Sequence, residues 1–265
     1  MLASPCYVIS DTHLSAASTA LERQVVAFLG HVREQAGSLL INGDLFDFWF
    51  EWKHVIPRGY FRTLSALASL CDAGVPVLMI AGNHDCWGGS VLSSEVGLKY
   101  HMGAWSGALG GWRALVEHGD GLRAVEDRRY RALRRVLRHP ASVRAFRWLH
   151  PDWGSRLAHG SSDASRVHRA RDGGAGLRAV AFSHLRAHPE TELVVYGHSH
   201  VATLERSAEG GVYANAGSWL EQPTFLRITP DAVELRRWTG AGDGEVLQVE
   251  AHRSASRASS ASAER

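Results

Sequence analysis

The 265-residue sequence contains few cysteines, no long apolar run and little net charge. Its three cysteines, Cys6, Cys71 and Cys86, form no C-x-x-C pair, which argues against a disulfide scaffold and favours a reducing compartment. The longest apolar runs span about eight residues, far below the ~20 that cross a bilayer. The first ten residues lack the basic start of a signal peptide. We therefore expect a cytoplasmic protein without a transmembrane helix.

The net charge of +2 hides an uneven distribution of charge along the chain. The segment from Leu122 to Glu190 contains 15 arginines against 6 acidic residues, whereas the remainder contains 14 basic and 21 acidic residues. This distribution indicates an acidic body with a cation-binding site, beside an anion-binding surface. With 45% hydrophobic and 21% charged residues, the composition is that of a globular protein and excludes wholesale disorder.

Short apolar strands alternate with helical patterns in the first 120 residues, which favours an α/β layered fold. Strands are predicted at 6–10, 38–42, 75–81 and 114–117, and helices at 20–35 and 60–72. Strand patterns return at 192–196, 211–214, 225–228 and 232–238 and predict a second β layer. We expect a single domain at 1–250, and a disordered tail at 251–265 because those residues are almost all Ser, Ala and Arg.

The strand pattern stops between about 122 and 190, where Arg, Ala and Leu recur at helical spacing. Pro140 and Pro151 interrupt this pattern and divide it into short helices. The segment is therefore predicted to be a basic helical cap inserted into the sheet domain.

Five polar clusters follow predicted strands, each at the point where the strand ends. They are Asp11-Thr12-His13, Gly43-Asp44-Leu45-Phe46-Asp47, Gly82-Asn83-His84-Asp85, His118-Gly119-Asp120 and Gly197-His198-Ser199-His200. The carboxyl ends of strands in an α/β sheet meet at one edge, so we expect these clusters to converge. Carboxylates combined with imidazoles suit Mn, Fe or Zn better than Ca, which prefers oxygen ligands. Each cluster alone could be an ordinary loop, but the ordered set predicts a metal site.

The order D-x-H, G-D-x-x-D, G-N-H-D, H-G-D and G-H-x-H resembles that of the calcineurin-like metallophosphoesterases. The resemblance implies a four-layer α/β sandwich, with two mixed sheets flanked by helices. It also implies two divalent metal ions, with Mn²⁺ favoured and Fe or Zn as alternatives. By this resemblance, one metal is held by Asp11, His13, Asp44 and His200, and the other by Asp44, Asn83, His118 and His198.

The same resemblance implies that His84 is a catalytic residue facing the substrate phosphoryl group, with Asp85 orienting its ring. A protonated imidazole there could stabilise developing negative charge or give a proton to the leaving oxygen. Asp47 has no metal role in the resembled pattern, and we expect it to be a supporting carboxylate.

Longer stretches are similar to UDP-2,3-diacylglucosamine hydrolases, from about residue 6 to 238. These stretches are G-D-L-F-D-F-W-F-E-W-K (43–53), V-I-P-R-G-Y-F (55–61), H-G-D-G-L (118–122), F-R-W-L-H-P-D-W-G (146–154) and N-A-G-S-W (215–219). The similarity implies hydrolysis of a pyrophosphate bond in lipid A synthesis, which releases UMP and a diacylated sugar 1-phosphate. It implies substrate contacts by Asn83, Asp127, Tyr130, Ser165 and Arg166.

The sequence departs from this family at two places. Cys86 to Ser90 contains no arginine where some members have one for phosphate, and Ser218 stands where relatives often have Asp. The apolar and arginine-rich cap could hold acyl chains and phosphates, and could touch an anionic inner-membrane surface transiently. The alternatives are a phosphodiesterase or phosphatase for soluble nucleotides, and nucleic-acid binding, which the low net charge and the lack of a known module disfavour. The oligomeric state is left open, with a monomer favoured.

Overall fold

The computed structural model describes residues 1–156 and 172–253, which form two β-sheets with helices on both sides. The strands are β1 (Cys6–Ile9), β2 (Ser38–Asn42), β3 (Val77–Ile80), β4 (Lys99–His101), β5 (Trp105–Leu109), β6 (Trp112–Val116), β7 (Leu193–Tyr196), β8 (Thr203–Arg206), β9 (Val212–Asn215), β10 (Thr224–Ile228), β11 (Ala232–Arg237) and β12 (Glu245–Ala251). The helices are α1 (Thr19–Gln35), α2 (Phe61–Asp72), α3 (Arg128–Leu137), α4 (Pro140–Arg147) and α5 (Ala175–Ala187), with a π-helical turn at Val91–Glu95.

Both sheets are mixed. The first has the order β12-β11-β10-β1-β2-β3-β4, in which β1 to β4 are parallel and β10 runs antiparallel to β1. The second has the order β5-β6-β7-β9-β8, in which β6, β7 and β9 are parallel. The ends of β1, β2 and β3, like those of β6 and β7, therefore meet at common edges.

Alternation along β1 shows how the layers are built. Tyr7 and Ile9 pack in the core beneath the helices, whereas Cys6 and Val8 pack in the core between the sheets, because successive side chains of a strand face opposite sides. The apolar face of the outer helix α1 packs in the core beneath the helices, and it contains Val25, Phe28, Leu29 and Val32 at the spacing of an amphipathic helix.

The second sheet carries its own helix, α5, which buries Leu177, Ala181 and Leu185 against Val194 and Tyr213. The order of layers is thus helices, sheet, sheet, helix. This arrangement confirms the four-layer α/β sandwich with two mixed sheets that the sequence predicts.

The cap differs in extent from its prediction. α5 lies within the stretch assigned to the cap, yet it flanks the second sheet, because apolar residues at spacing of four give it a buried stripe. The described cap residues include α3 and α4, neither of which has a buried side chain, and a helical stretch at 151–156. Phe146 of α4 rests on Phe50 and Trp52, which belong to an aromatic cluster after β2.

Four strands were not predicted: β4, β5, β8 and β12. Six of the seven residues of β12 are exposed, so the strand lacks the alternation that marks a half-buried strand. Its last residue, Ala251, begins the predicted disordered tail, whose positions 254–265 lie outside the described residues. None of the helices in the described part of the chain is long and apolar enough to cross a membrane.

Candidate metal centre

The five polar clusters meet at the ends of β1, β2, β3, β6 and β7. Five of their residues have a left-handed backbone, a conformation that costs non-glycine residues about 1–3 kcal/mol each and persists where surrounding structure enforces it. These residues are Asp11 (φ 51°), His13 (φ 44°), Asp44 (φ 52°), His198 (φ 60°) and His200 (φ 62°). Within residues 1–156 and 172–253, no other non-glycine residue has a positive φ. Backbone strain is therefore concentrated at the predicted ligands.

Gly43 is required by the close approach of two of these loops. Its φ is 80°, and a Cβ at this position would lie 2.4 Å from the Nδ1 atom of His118. His118 Nδ1 in turn lies 2.8 Å from the carbonyl oxygen of Asn42, to which it donates. This contact directs Nε2 of His118 at Asp44, whose Oδ2 lies 3.2 Å away.

One half of the centre contains Asp11, His13 and His200. The Nε2 atoms of the two imidazoles are 3.0 Å apart, and Asp11 Oδ1 lies 3.9 Å from His13 and 3.4 Å from His200. Asp11 also accepts the backbone N–H of His198, at 3.0 Å and 3.1 Å from its two oxygens. These three side chains place one ligand atom each within 4.8 Å of one another.

The other half contains Asp44, His118 and His198, whose ligand atoms also lie within 4.8 Å of one another. Asp44 lies between the halves, because its Oδ2 is also 3.8 Å from His13 Nε2. Asn83 Oδ1 is buried and has no hydrogen-bond partner among the described residues. An orphaned buried acceptor is rare in a native protein and is explained when a cation takes its lone pairs.

Metal binding requires neutral imidazoles and charged carboxylates, and the pKa values of His13, His198 and Asp44 are shifted in that direction. His118 differs, because the neighbouring Asp44 raises its pKa well above the usual value although burial alone would lower it, so a metal would displace a proton from this ring. Burial lowers the pKa of His13 to about 4, and burial together with the charge of His118 lowers the pKa of His198. Burial alone would raise the pKa of Asp44, but the neighbouring His118 and His84 hold it well below its usual range. The donor set of carboxylate, amide and imidazole therefore fits two divalent transition metals sharing Asp44.

His84 lies beside this donor set. Its Nδ1 is 2.8 Å from the carbonyl oxygen of Asp47, its Nε2 is 4.0 Å from Asp44 Oδ2, and its ring meets that of His13 edge-on at 4.8 Å. The orienting contact thus comes from Asp47 and not from Asp85, which corrects the expected pairing. Asp47 is 5% exposed, and its Oδ1 also lies 3.9 Å from His84 Nδ1.

Asp85 instead joins two of the ligand loops. Its Oδ1 accepts the N–H of Gly82 and its Oδ2 accepts the N–H of Leu45, both at 2.8 Å. Burial and the charge of Asp44 raise the pKa of Asp85 to about 7. This carboxyl therefore acts on the centre by fixing the loops after β2 and β3.

Sequence reasoning missed the role of Glu51. It is 6% exposed and accepts the backbone N–H groups of Gly89 at 2.7 Å and Val91 at 3.0 Å, at the start of the π-helical turn. This turn follows the Asn83 loop directly, so Glu51 holds the loop's far end. A buried acid within an aromatic run was the available signal, since such a group needs partners.

The N-A-G-S-W block supports the centre from the opposite side. Asn215 donates to the carbonyl of Gly197 at 2.9 Å, and Ser218 donates to the carbonyl of Asp11 at 2.9 Å. Serine at 218 therefore fixes the first ligand loop through its hydroxyl. Trp219 lies in the core beside Phe28.

The predicted substrate residues of the cap make internal contacts. Asp127 accepts the guanidinium of Arg123 at 2.8 Å, and Tyr130 donates to Asp120 at 2.8 Å. Ser165 and Arg166 lie outside the described residues. Of the predicted substrate residues that the structure describes, Asn83 alone has a buried side-chain oxygen without a hydrogen-bond partner.

Comparisons with known proteins agree with this geometry. The calcineurin-like phosphoesterase profile matches residues 4–202, a span that contains all the clustered ligands. A protein from Porphyromonas gingivalis named UDP-2,3-diacylglucosamine hydrolase is 32% identical over 75% of this chain and 84% of its own length. Proteins of the same name from Salmonella arizonae and Nitrosococcus oceani are 30% and 27% identical, over 86% and 85% of this chain and 96% and 91% of their own lengths. Among solved structures, a dimetal phosphatase from Danio rerio aligns with a TM-score of 0.49 at 14% identity, over 91% of this chain and 97% of that chain.

Proposed function

The chain belongs to the calcineurin-like phosphoesterase family, and we propose that it hydrolyses the pyrophosphate of UDP-2,3-diacylglucosamine to UMP and 2,3-diacylglucosamine 1-phosphate. One observation carries the proposal: two Asp/His groups meet at the shared carboxylate of Asp44, with His84 beside them. The relatives named for this reaction match most of the chain and support the substrate. The reaction is a step of lipid A synthesis.

Two divalent ions held by this donor set would supply an activated water and a positive charge for the phosphate oxygens. Mn²⁺ is the proposed ion, since its ligand preferences suit mixed oxygen and imidazole donors. The protein's own part is positioning. Asp11, Asp44 and Asn83 bring oxygen donors to fixed places, while the strained loops keep them there without rearrangement during reaction.

His84 has the second chemical role. Because Nδ1 donates to the Asp47 carbonyl, Nε2 is the atom that faces the shared space. The leaving group of a pyrophosphate is itself a phosphate, so negative charge builds up on its bridging oxygen. A protonated Nε2 stabilises that charge or gives its proton to the oxygen.

The cap supplies the features that a diacylated nucleotide sugar needs. Val125 and Val136 are 80% and 60% exposed, and Arg128 and Arg129 at the start of α3 lie between them in the sequence. Apolar surface next to guanidinium groups suits acyl chains next to phosphates. In this proposal Asp127, Tyr130, Ser165 and Arg166 contact the substrate.

Contact with the cytoplasmic face of a membrane is part of the same proposal. Trp148 and Trp153 are 88% and 69% exposed near Arg144 and Arg147, a combination that favours an anionic interface. Sedimentation with vesicles of phosphatidylglycerol, but not of phosphatidylcholine, is the expected result. The double variant W148S/W153S should sediment less, and equal sedimentation of this variant would contradict the contact.

Phosphorus NMR of the full chain with Mn²⁺ and UDP-2,3-diacylglucosamine in detergent tests the function. We expect rapid release of UMP from the acylated substrate, slow turnover of bis-p-nitrophenyl phosphate, and no release by the D44N variant. UDP-N-acetylglucosamine, which lacks the long acyl chains, is the control substrate. If it is cleaved equally fast, the protein is a phosphodiesterase for soluble nucleotides and the lipid substrate is wrong.

A further inference from the structure

Cap helix α3 is joined to the metal centre through one buried carboxylate, that of Asp120. Asp120 is 2% exposed and lies two residues after His118. Its Oδ2 accepts the hydroxyl of Tyr130 at 2.8 Å and lies 3.3 Å from Arg134 Nη1 and 3.1 Å from Arg138 Nη2. Tyr130, Arg134 and Arg138 follow one another at intervals of four residues, so they lie on one face of α3 and of the residue that ends it. We call these four residues the Asp120 latch.

Arg138 extends the latch to a second ligand loop. The same Nη2 atom donates to the carbonyl oxygen of Gly82 at 3.1 Å. Gly82 directly precedes Asn83, whereas Asp120 follows His118, and both of those ligands belong to the same half of the centre. One guanidinium thus contacts the two loops that carry Asn83 and His118.

These polar contacts hold a helix that has no buried side chain of its own. Arg134 also donates to the backbone carbonyl of Asp120, and Trp87 Nε1 donates to the carbonyl of Leu137 at 3.2 Å. The Arg138 side chain is only 15% exposed, so its charge is held in place by Asp120. Removing Asp120 would leave the buried charge of Arg138 without a carboxylate, which is strongly unfavourable, whereas removing Arg138 would leave Asp120 with Arg134 and Tyr130.

We propose that the Asp120 latch lets the cap position Asn83 and His118 for metal binding, with Arg138 as the positioning residue. The proposal rests on the metal-dependent reaction above, but not on the identity of the lipid substrate. Groups that orient metal ligands typically contribute about 10–100-fold to metal affinity or activity. The cap is then a part of the metal site as well as a surface for substrate.

The test compares R138A with R135A in the full chain. Arg135 is exposed on the same helix and contacts neither ligand loop, so the R135A variant removes the same charge and leaves both loops unchanged. Chelator-treated protein is titrated with Mn²⁺ by calorimetry, and kcat is measured with bis-p-nitrophenyl phosphate. We expect R138A to weaken one of two Mn²⁺ sites by about 10–100-fold, with a matching fall in kcat, and R135A to behave as wild type. R138K should recover part of the affinity, since an ammonium can still donate to both oxygens.

A lower melting temperature in R138A with wild-type Mn²⁺ affinity and kcat would overturn the proposal, because the latch would then only hold the cap. If R138A does not fold, the Mn²⁺ affinity is measured with D120N and R138K in its place. Unchanged affinity in both of these variants would also overturn the proposal. A different result would contradict the proposed function: wild-type protein that binds Mn²⁺ and cleaves bis-p-nitrophenyl phosphate but does not cleave UDP-2,3-diacylglucosamine.

Discussion

The Nε2 atoms of His13 and His200 lie 3.0 Å apart, although 187 residues separate the two histidines in the chain. Two neutral imidazoles that present lone pairs to each other repel unless a proton or a cation lies between them. Burial lowers the pKa of His13 to about 4, so this ring is neutral at neutral pH, and the close contact is either an N–H···N hydrogen bond between two tautomers or a pair of ligand atoms that share a cation. A shared cation, also facing Asp11, would take the lone pairs of both nitrogens.

Removing metal should therefore destabilise the protein as well as inactivate it. A ligand at 100 times its Kd stabilises the folded state by about 2.7 kcal/mol. For a chain of this size, that corresponds to a melting temperature lower by roughly 5–10 °C after chelation. Scanning calorimetry with and without excess Mn²⁺ measures the difference. Identical melting curves would show that the clustered side chains do not hold a metal.

The D44N variant should lose both halves of the centre. Asp44 is 1% exposed and faces His13 on one side and His118 on the other. Asparagine keeps the acceptor for the His84 backbone N–H but removes the negative charge. We expect Mn²⁺ affinity to fall by more than about 100-fold, because a residue that only orients metal ligands typically contributes about 10–100-fold and Asp44 would bind the metal directly. The exposed D231N variant is the control, and two metals retained by D44N would refute the shared-ligand assignment.

The H84Q variant should separate catalysis from metal binding. The ring is held by the Asp47 carbonyl, and in the proposed reaction it contributes a proton or a charge, so its loss should lower kcat by about 10²–10⁴-fold. Elemental analysis should still find two metals per chain. H188Q, at an exposed histidine near the end of α5, should retain wild-type kcat. Wild-type turnover by H84Q would remove the proposed role.

Sequence periodicity predicted the elements whose burial follows a simple rule. β2 is buried at every position, and α1 carries a regular apolar stripe, so both were predicted to within about a residue. Exposed β12 has no such pattern, and α5 shares its Ala and Arg content with the cap. For β12 and α5, tertiary contacts and not the local sequence pattern determine the structure.

The convergence of the polar clusters was predictable, because the carboxyl ends of neighbouring parallel strands meet at one edge of a sheet. The contacts between loops were not. His84 and Asp85 are adjacent in sequence, yet the ring is oriented by Asp47, which lies 37 residues earlier. Spacing along the chain gives the residues that converge, but not which neighbouring atom faces each of them.

Replacing Glu51 should show how far this positioning extends. Its carboxylate accepts the N–H groups of Gly89 and Val91 and also the indole N–H of Trp49 at 3.2 Å. Leaving buried donors unsatisfied costs about 1–3 kcal/mol each, so E51A should lose roughly 3 kcal/mol or more of unfolding free energy. E51Q keeps the size but turns an amide N–H toward backbone donors, so it should also be less stable than wild type.

The same replacement should lower activity, because the turn that Glu51 holds continues the loop of Asn83 and His84. We expect kcat to fall in E51A and E51Q at temperatures where both variants are folded, with bis-p-nitrophenyl phosphate as the reporter. The E95Q variant changes an exposed acid in the same π-helical turn and should match wild type in urea unfolding and in kcat. If E51A were destabilised but retained full kcat, Glu51 would support the fold without positioning the loop, because the metal ligands would then be held by Asp85 and the strand ends alone.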